Sequence, residues 1–306
     1  MFVFSLRRIA SSIPTLLLFA AITFFTLRLA PGGPFDGERA LPPEIQANLD
    51  ARYGLDKPVI HQFGKWLGDA VRGDLHESFQ YIGRPVNEII SESLPTSLLL
   101  GALSMLLAVA LGIPLGCVAA WKRGTWLDTS AMFLAVSGVS LPSYLVASIL
   151  VLVFSIWLGW LPPALWESPS SMILPVVTLG LRPMAIIARL TRASMIEALS
   201  ADYIRTAYGK GLRGLQVVFK HALKNSLIPV ITIMGPLAAN LVTGSFLVEV
   251  VFQIPGMGKH FVTAVINRDY PLVMGVNLVY GFILISANLA VDLVYAWADP
   301  RTRRDS

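Results

Sequence analysis

Four histidines, His61, His76, His221 and His260, are the side chains of this 306-residue chain whose ordinary pKa suits proton transfer near neutrality. They lie scattered over the stretches between apolar runs. No H-E-x-x-H spacing joins them, and no convergent set of paired aspartates or of Ser/His or Ser/Lys partners accompanies them, so neither a zinc centre nor a hydrolytic site is expected. No G-x-x-x-x-G-K-[ST] loop occurs either. The stretch from Gly256 to His260 is a near miss whose glycines suit a tight turn better than a phosphate cradle. Cys117 is the single cysteine, which excludes an internal disulfide and reads as packing in an apolar run. No metal or cofactor is expected, and catalysis by this chain is not expected.

Ionisable groups are scarce. Only 14% of residues are charged and 55% are hydrophobic, against roughly 25% charged in soluble domains. Several uncharged runs reach the ~20 residues that cross a bilayer as a helix, so the main solvent is lipid and the net charge of +5 reflects basic loops rather than nucleic-acid binding. Within or beside these runs stand Arg182, Glu249 and Asp292. Glu249 falls at the outer end of its span, and Asp292, near the inner end of the last and close to Asp299 and Arg301, is most simply a snorkelling or salt-bridged interfacial residue rather than part of a transport path. Arg182, before Pro183, either pairs within the bundle or lines a watery path. Neutral polar residues, Asn240, Thr243 and Ser245 on the fifth span and Asn277, Ser286 and Asn288 on the sixth, suit a translocation path or act as glue between helices. Pro142, Pro183, Pro229 and Pro236 mark expected kinks, because proline removes a helix hydrogen bond.

One stretch is basic and periodic at once. From Ile204 to Asn225 the chain carries Arg205, Lys210, Arg213, Lys220, His221 and Lys224. Leu215, Val218, Phe219, Ala222 and Leu223 recur at helical spacing with the charges opposite, and Ile204, Ala207 and Tyr208 form a shorter apolar ridge before Gly209 and Gly211. A helix, a turn and a second helix are expected. A loop serving only as a topology signal needs the charge without the period. An interfacial helix lying on lipid and a ridge that docks into a partner both satisfy the pattern.

These residues need six spans, near 9–29, 96–121, 129–158, 172–192, 226–249 and 271–297. Residues 129–166 carry no charge and invite a split at Pro142. The split would place the basic loop and the Arg301, Arg303, Arg304 tail outside, against the positive-inside rule. With six spans, Arg7 and Arg8, Lys122 and Arg123, the basic loop and the tail all face the cytoplasm. The expected fold is thus an all-α integral membrane protein with both termini cytoplasmic. Three segments divide it: 1–29 as tail and first span, 30–95 as a small helical extracytoplasmic segment, and 96–306 as a five-helix core with a cytoplasmic loop at 197–225. Three short amphipathic helices are expected in the outer segment, before Gly54, before Gly73, and from Arg84 to Pro95.

From Arg205 the chain reads "RTA", three residues, Gly211, nine more, then "HAL". This resembles the cytoplasmic E-A-A-x3-G-x9-I-x-L-P motif of ABC importer permeases, in the form found in peptide permeases. Tyr208, Gly209 and Lys224 depart from it, and Arg205 stands for the glutamate, so no role of that carboxylate carries over. "RLAPGGPFDGERALPPEI", "RYGLDKP", "RPVNEII", "RLTRASMIEAL" and "GSFLVEVVFQIPGMGKHFVTAVINRDYP" extend the resemblance to the oligopeptide/dipeptide permease family over almost the whole chain, nearest its B-type subunit. "GDLHESF" departs at His76, where glycine is commoner. The resemblance implies a multi-pass permease of a bacterial inner membrane that moves oligopeptides from periplasm to cytoplasm. It also implies the partners: a second, C-type permease, two ABC ATPases that hydrolyse ATP, an extracytoplasmic peptide-binding protein and the lipid bilayer. Nickel chelates, glutathione, dipeptides and peptide antibiotics are the alternative cargoes of such relatives. Arg205, Thr206, Ala207, Gly211, Leu215, Phe219, His221 and Leu223 are then expected to couple to the ATPase, and Arg182, Asn240, Thr243, Ser245, Asn277 and Asn288 to border the path.

Overall fold

The computed structural model describes residues 2–298 apart from 31, 36–43, 45–47, 49–50, 52, 213 and 244, and the side chains of these except at 2–9, 215 and 292–298. Helices make up its regular structure, with one isolated bridge between Glu77 and Pro85. In chain order they are α1 (Phe2–Leu29), α2 (Val59–Val71), α3 (Val86–Trp121), α4 (Trp126–Ser140), α5 (Ser143–Leu150), α6 (Pro169–Ser200), α7 (Asp202–Gly209), α8 (Leu223–Thr243), α9 (Phe246–Val251), α10 (Met257–Ile266) and α11 (Tyr270–Ala298). Five helical stretches are long and apolar enough to cross a bilayer: Ala10–Leu29, Val86–Trp121, Pro169–Ser200, Val217–Val251 and Tyr270–Val291. The sixth is a bent pair. α4 and α5, the latter extended by π-helical turns over Val151–Trp157, meet at 110°.

The bend sits where the uncharged run made division tempting. Leu141 is extended at ψ 132° because the ring of Pro142 excludes the helical conformation from the residue before it, and Pro142 then opens α5. The expected third span is therefore two half-helices. Pro183, Pro229 and Pro236 instead lie inside continuous helices.

The short outer helix expected from Arg84 to Pro95 does not end at Pro95. It is the first part of α3, which runs unbroken for 36 residues, or roughly 54 Å. An interior proline costs ~3 kcal/mol. Against this, Val86, Ile89 and Ile90 are at most 6% exposed and pack on Leu272, Val273 and Val276 of α11. Burial of three such side chains contributes ~1.5–3 kcal/mol each, so packing outweighs the lost hydrogen bond. α2 docks on α1 through aromatic rings, with the Phe24 and Phe63 centroids 5.1 Å apart and Trp66 buried beside them. The helix expected before Gly54 falls largely outside the described residues.

α3 and α6 form the centre of the bundle, and small residues set their approach. A Cβ on Gly116 would stand 2.5 Å from the Ala188 carbonyl oxygen, and one on Gly112 2.8 Å from that of Met184. In lipid, where hydrophobic burial does not drive helices together, such backbone proximity supplies the packing. Arg192 of α6 donates to both carboxylate oxygens of Asp128 at 2.6 and 2.8 Å, fixing the start of α4.

Candidate functional site

The basic stretch folds as expected into a hairpin. α7 ends at Gly209 with Lys210 as its cap, and Gly211 at φ 80° lets the chain reverse, with the Leu212 N–H donating to the Ala207 oxygen at 3.3 Å. The returning arm runs from Gly214–Gln216 through π-helical Val217–Ala222 into α8. Its apolar ridge turns inward. Ile204, Ala207, Val217, Val218 and Ala222 are buried against Cys117 and Ala120 of α3 and Met195 and Ala198 of α6. The hairpin is thereby joined to both central helices.

The outer face is what remains for contact. Arg205 is 82% exposed, held loosely by Asp202 at 3.7 Å, and Phe219 is 60% exposed although its neighbours are covered. Thr206 is exposed and donates to the Asp202 oxygen. Leu212, Gln216, Phe219, Lys220 and His221 border a concavity of about 400 Å³. Leu223 is half-buried against the inner cluster. The Leu215 side chain lies outside those described.

The residues expected along a path do not converge on one place. Arg182 and Asn240 face one cavity of about 340 Å³ at the bend between α4 and α5, with Pro142, Ser143 and Thr178 on its wall. Thr243 and Asn277 face a different crevice of about 350 Å³ between α1 and α11. Ser245 is fully buried and donates to Glu249 at 2.6 Å, while Asn288 is half-buried on α11. Among the described residues, no group of three or more His, Cys, Asp or Glu side chains lies close enough to hold a metal.

Two buried carboxylates went unrecognised as hubs. Glu249 lies near the end of the Val217–Val251 span, as expected, and is fully buried. It accepts from Ser97 Oγ at 2.8 Å, Ser245 Oγ at 2.6 Å and the backbone N–H groups of Gly258 and Lys259 at 2.7 and 3.3 Å, capping α10. Gly256 has φ −102°, so it is not needed for a left-handed turn; a Cβ there would sit 2.4 Å from Glu249 Oε2. Asp269 is likewise fully buried, accepting from Ser78 Oγ and from the N–H groups of Phe79 and Leu272 at 3.1 and 3.2 Å. It ties the loop at Ser78 and Phe79 to the start of α11. The sequence signal was present for both: an acid in an otherwise apolar neighbourhood, followed by glycines or preceded by arginine.

An all-α bundle of membrane-grade helices, broken once at a polar cavity and joined at one end to a basic helical hairpin, is the architecture of a multi-pass transport permease. Residues 112–304 match the family described as "Binding-protein-dependent transport system inner membrane component", and residues 1–100 match its N-terminal companion. The chain belongs to this family. It is 45% identical over 302 residues to the oligopeptide transport system permease protein OppB of Salmonella typhimurium, covering 98% of this chain and 99% of that one. It is 43% identical over 300 residues to the dipeptide transport system permease protein DppB of Bacillus subtilis, covering 98% and 97%. Among solved structures, the inward-facing MetNI methionine ABC transporter matches with TM-score 0.57 at 16% identity, over 69% of this chain and 96% of that one. The likeness establishes the same fold. Relatives of this kind are ABC transporter permease subunits, which are not themselves catalytic.

Proposed function

We propose that this chain is the B-type permease subunit of a bacterial inner-membrane importer that carries oligopeptides from periplasm to cytoplasm. A C-type permease, two ABC ATPases and an extracytoplasmic peptide-binding protein complete the assembly. The observation that carries the reading is the 45% identity to an oligopeptide permease along 98% of the chain. Both termini and the 202–222 hairpin face the cytoplasm, as the distribution of Arg7, Arg8, Lys122, Arg123 and the hairpin bases favours. Residues 30–95 face the periplasm.

The hairpin is the coupling element. Its buried side is continuous with α3 and α6, so movement of the ATPase passes into the bundle without loss in a flexible joint. Arg205, Thr206, Phe219, Lys220 and His221 make the ATPase contact, while Ala207, Gly211 and Leu223 hold the hairpin's shape. The path passes the cavity of Arg182 and Asn240.

Proteoliposomes containing the whole importer, supplied with ATP and the binding protein, test this. Labelled tri- to pentapeptides should accumulate inside only when ATP is present. A fully assembled complex that accumulates none of them removes the proposal. The 43% identity to a dipeptide permease supports a second cargo, and dipeptide uptake that exceeds tripeptide uptake in the same vesicles would favour it.

A further inference from the structure

Arg182 stands near the middle of α6, inside an apolar window, and its side chain is exposed to the cavity at the bend of α4 and α5. A charge at that depth is costly unless it meets an opposite charge. The described residues supply none. The buried carboxylates among the described residues are Asp128, Glu249 and Asp269, and each is already engaged, by Arg192, by Ser97 with Ser245, and by Ser78 with backbone N–H groups. Arg182 makes no hydrogen bond or ion pair within the described structure.

Its neighbours divide in the same way. Ser140 and Thr178 on the cavity wall are satisfied locally, donating to the carbonyls of Val136 and Leu174. Ser143 and Asn240 also line the cavity, and neither side chain has a partner within the described structure. Three free polar groups thus face one space of about 340 Å³: a guanidinium, an amide and a hydroxyl. The rest of the wall is apolar, from Leu141, Pro142 and Leu237 among others. That volume lies within the ~300–1,000 Å³ of ordinary ligand sites, and a few polar groups on an apolar wall is their usual make-up.

We infer that this cavity is a carboxylate-reading site for peptide in transit, in which Arg182 receives the carboxylate and Asn240 and Ser143 bond the adjoining peptide group. Guanidinium matches a carboxylate with two parallel hydrogen bonds, which a point charge cannot do. The apolar remainder accepts side chains without reading their identity. A path tuned this way carries peptides of varied sequence while favouring those with a free acid. The inference rests on the peptide-importer reading. The carboxylate comes from the C-terminus or from an acidic side chain.

The test uses the complete importer in proteoliposomes with one binding protein throughout. Uptake of tetra-alanine is compared with that of its C-terminal amide, in wild type and in Arg182→Gln. The binding protein's own preference cancels in the ratio of the two ratios. Arg182→Gln should reduce free-acid uptake about tenfold more than amide uptake, and Arg182→Lys should fall between. An amidated peptide carrying one glutamate separates the sources: carriage like the free acid assigns the site to any carboxylate, carriage like the amide to the terminus. An equal loss for acid and amide overturns the inference. So does loss of the second permease from purified Arg182→Gln complex, because Arg182 is then an interface ion pair. Wild-type vesicles that carry no peptide at all would sink the importer reading instead.

Discussion

The Glu249 carboxylate accepts the Gly258 N–H at 2.7 Å across the turn between α9 and α10. With Ser97 and Ser245 on its other oxygen, it joins three separate elements at one fully buried point. Glu249→Ala leaves these donors without an acceptor and should destabilise the protein by about 3–5 kcal/mol. Glu249→Gln keeps one acceptor oxygen and should cost about half as much. Gly256→Ala should resemble Glu249→Ala, since its methyl group would occupy the carboxylate's place. Thermal unfolding of the detergent-purified complex measures all three, and an unshifted midpoint for Gly256→Ala would show that the turn can yield.

At the hairpin, exposure and burial alternate over adjacent residues, which gives an internal control. Val218 is 2% exposed and Phe219 60%. Phe219→Asp should therefore leave insertion intact while lowering peptide-stimulated ATP hydrolysis about tenfold or more, as loss of an aromatic anchor does. Val218→Asp should prevent accumulation of folded protein. Arg205→Glu should act like Phe219→Asp. Full ATP hydrolysis in the Phe219 and Arg205 variants would place the ATPase contact elsewhere.

The Asp128 and Arg192 pair lends itself to a double-mutant cycle. Asp128 is 8% and Arg192 27% exposed at the side chain, so either single change, Asp128→Asn or Arg192→Gln, strands a partly buried charge. Each should cost about 2–3 kcal/mol in chemical or thermal unfolding. The double change should cost less than the sum. Additive costs would mean that the two groups act independently despite their contact.

Acid sensitivity should trace to the segment between α2 and α3. His76 Nε2 lies 2.9 Å from Asp69 Oδ2, and this hydrogen bond, the largest cause, holds the Asp69 carboxyl below its usual range. A carboxyl lowered on folding adds stability at pH above the unfolded value of about 3.9 and loses it as pH falls through the folded value. Asp69→Asn should lower stability near neutrality, with the loss fading below about pH 4, so that the acid limb flattens. Unfolding curves between pH 3 and 7 would show it; an unchanged acid limb would exclude Asp69 as a contributor.

How much could be read beforehand depends on the range of the interaction. Spans, the hairpin and its turn at Gly211 follow from periodicity and glycine placement, which are local. Pro95 misled because a local stop signal was outweighed by contacts with α11, far along the chain. The place of Glu249 at the end of its span follows locally, but its role as a hub does not, because its partner Ser97 is 152 residues away. The bend at Pro142 was half visible, in a charge-free run too long for one straight span. The depth and openness of the Arg182 cavity were not legible either, because solvent access is a property of several helices together.

α3 touches the hairpin through Cys117 and Ala120 at one end and α11 through Val86 and Ile90 at the other. Geometrically such a beam is a lever. A tilt of ~5° about one end displaces the other by ~5 Å for a helix of ~54 Å, about the pitch of one turn. In the proposed importer, rotation at the hairpin end would thus reach the far end of α3 as a displacement of about one helical pitch, with no relay of side chains in between.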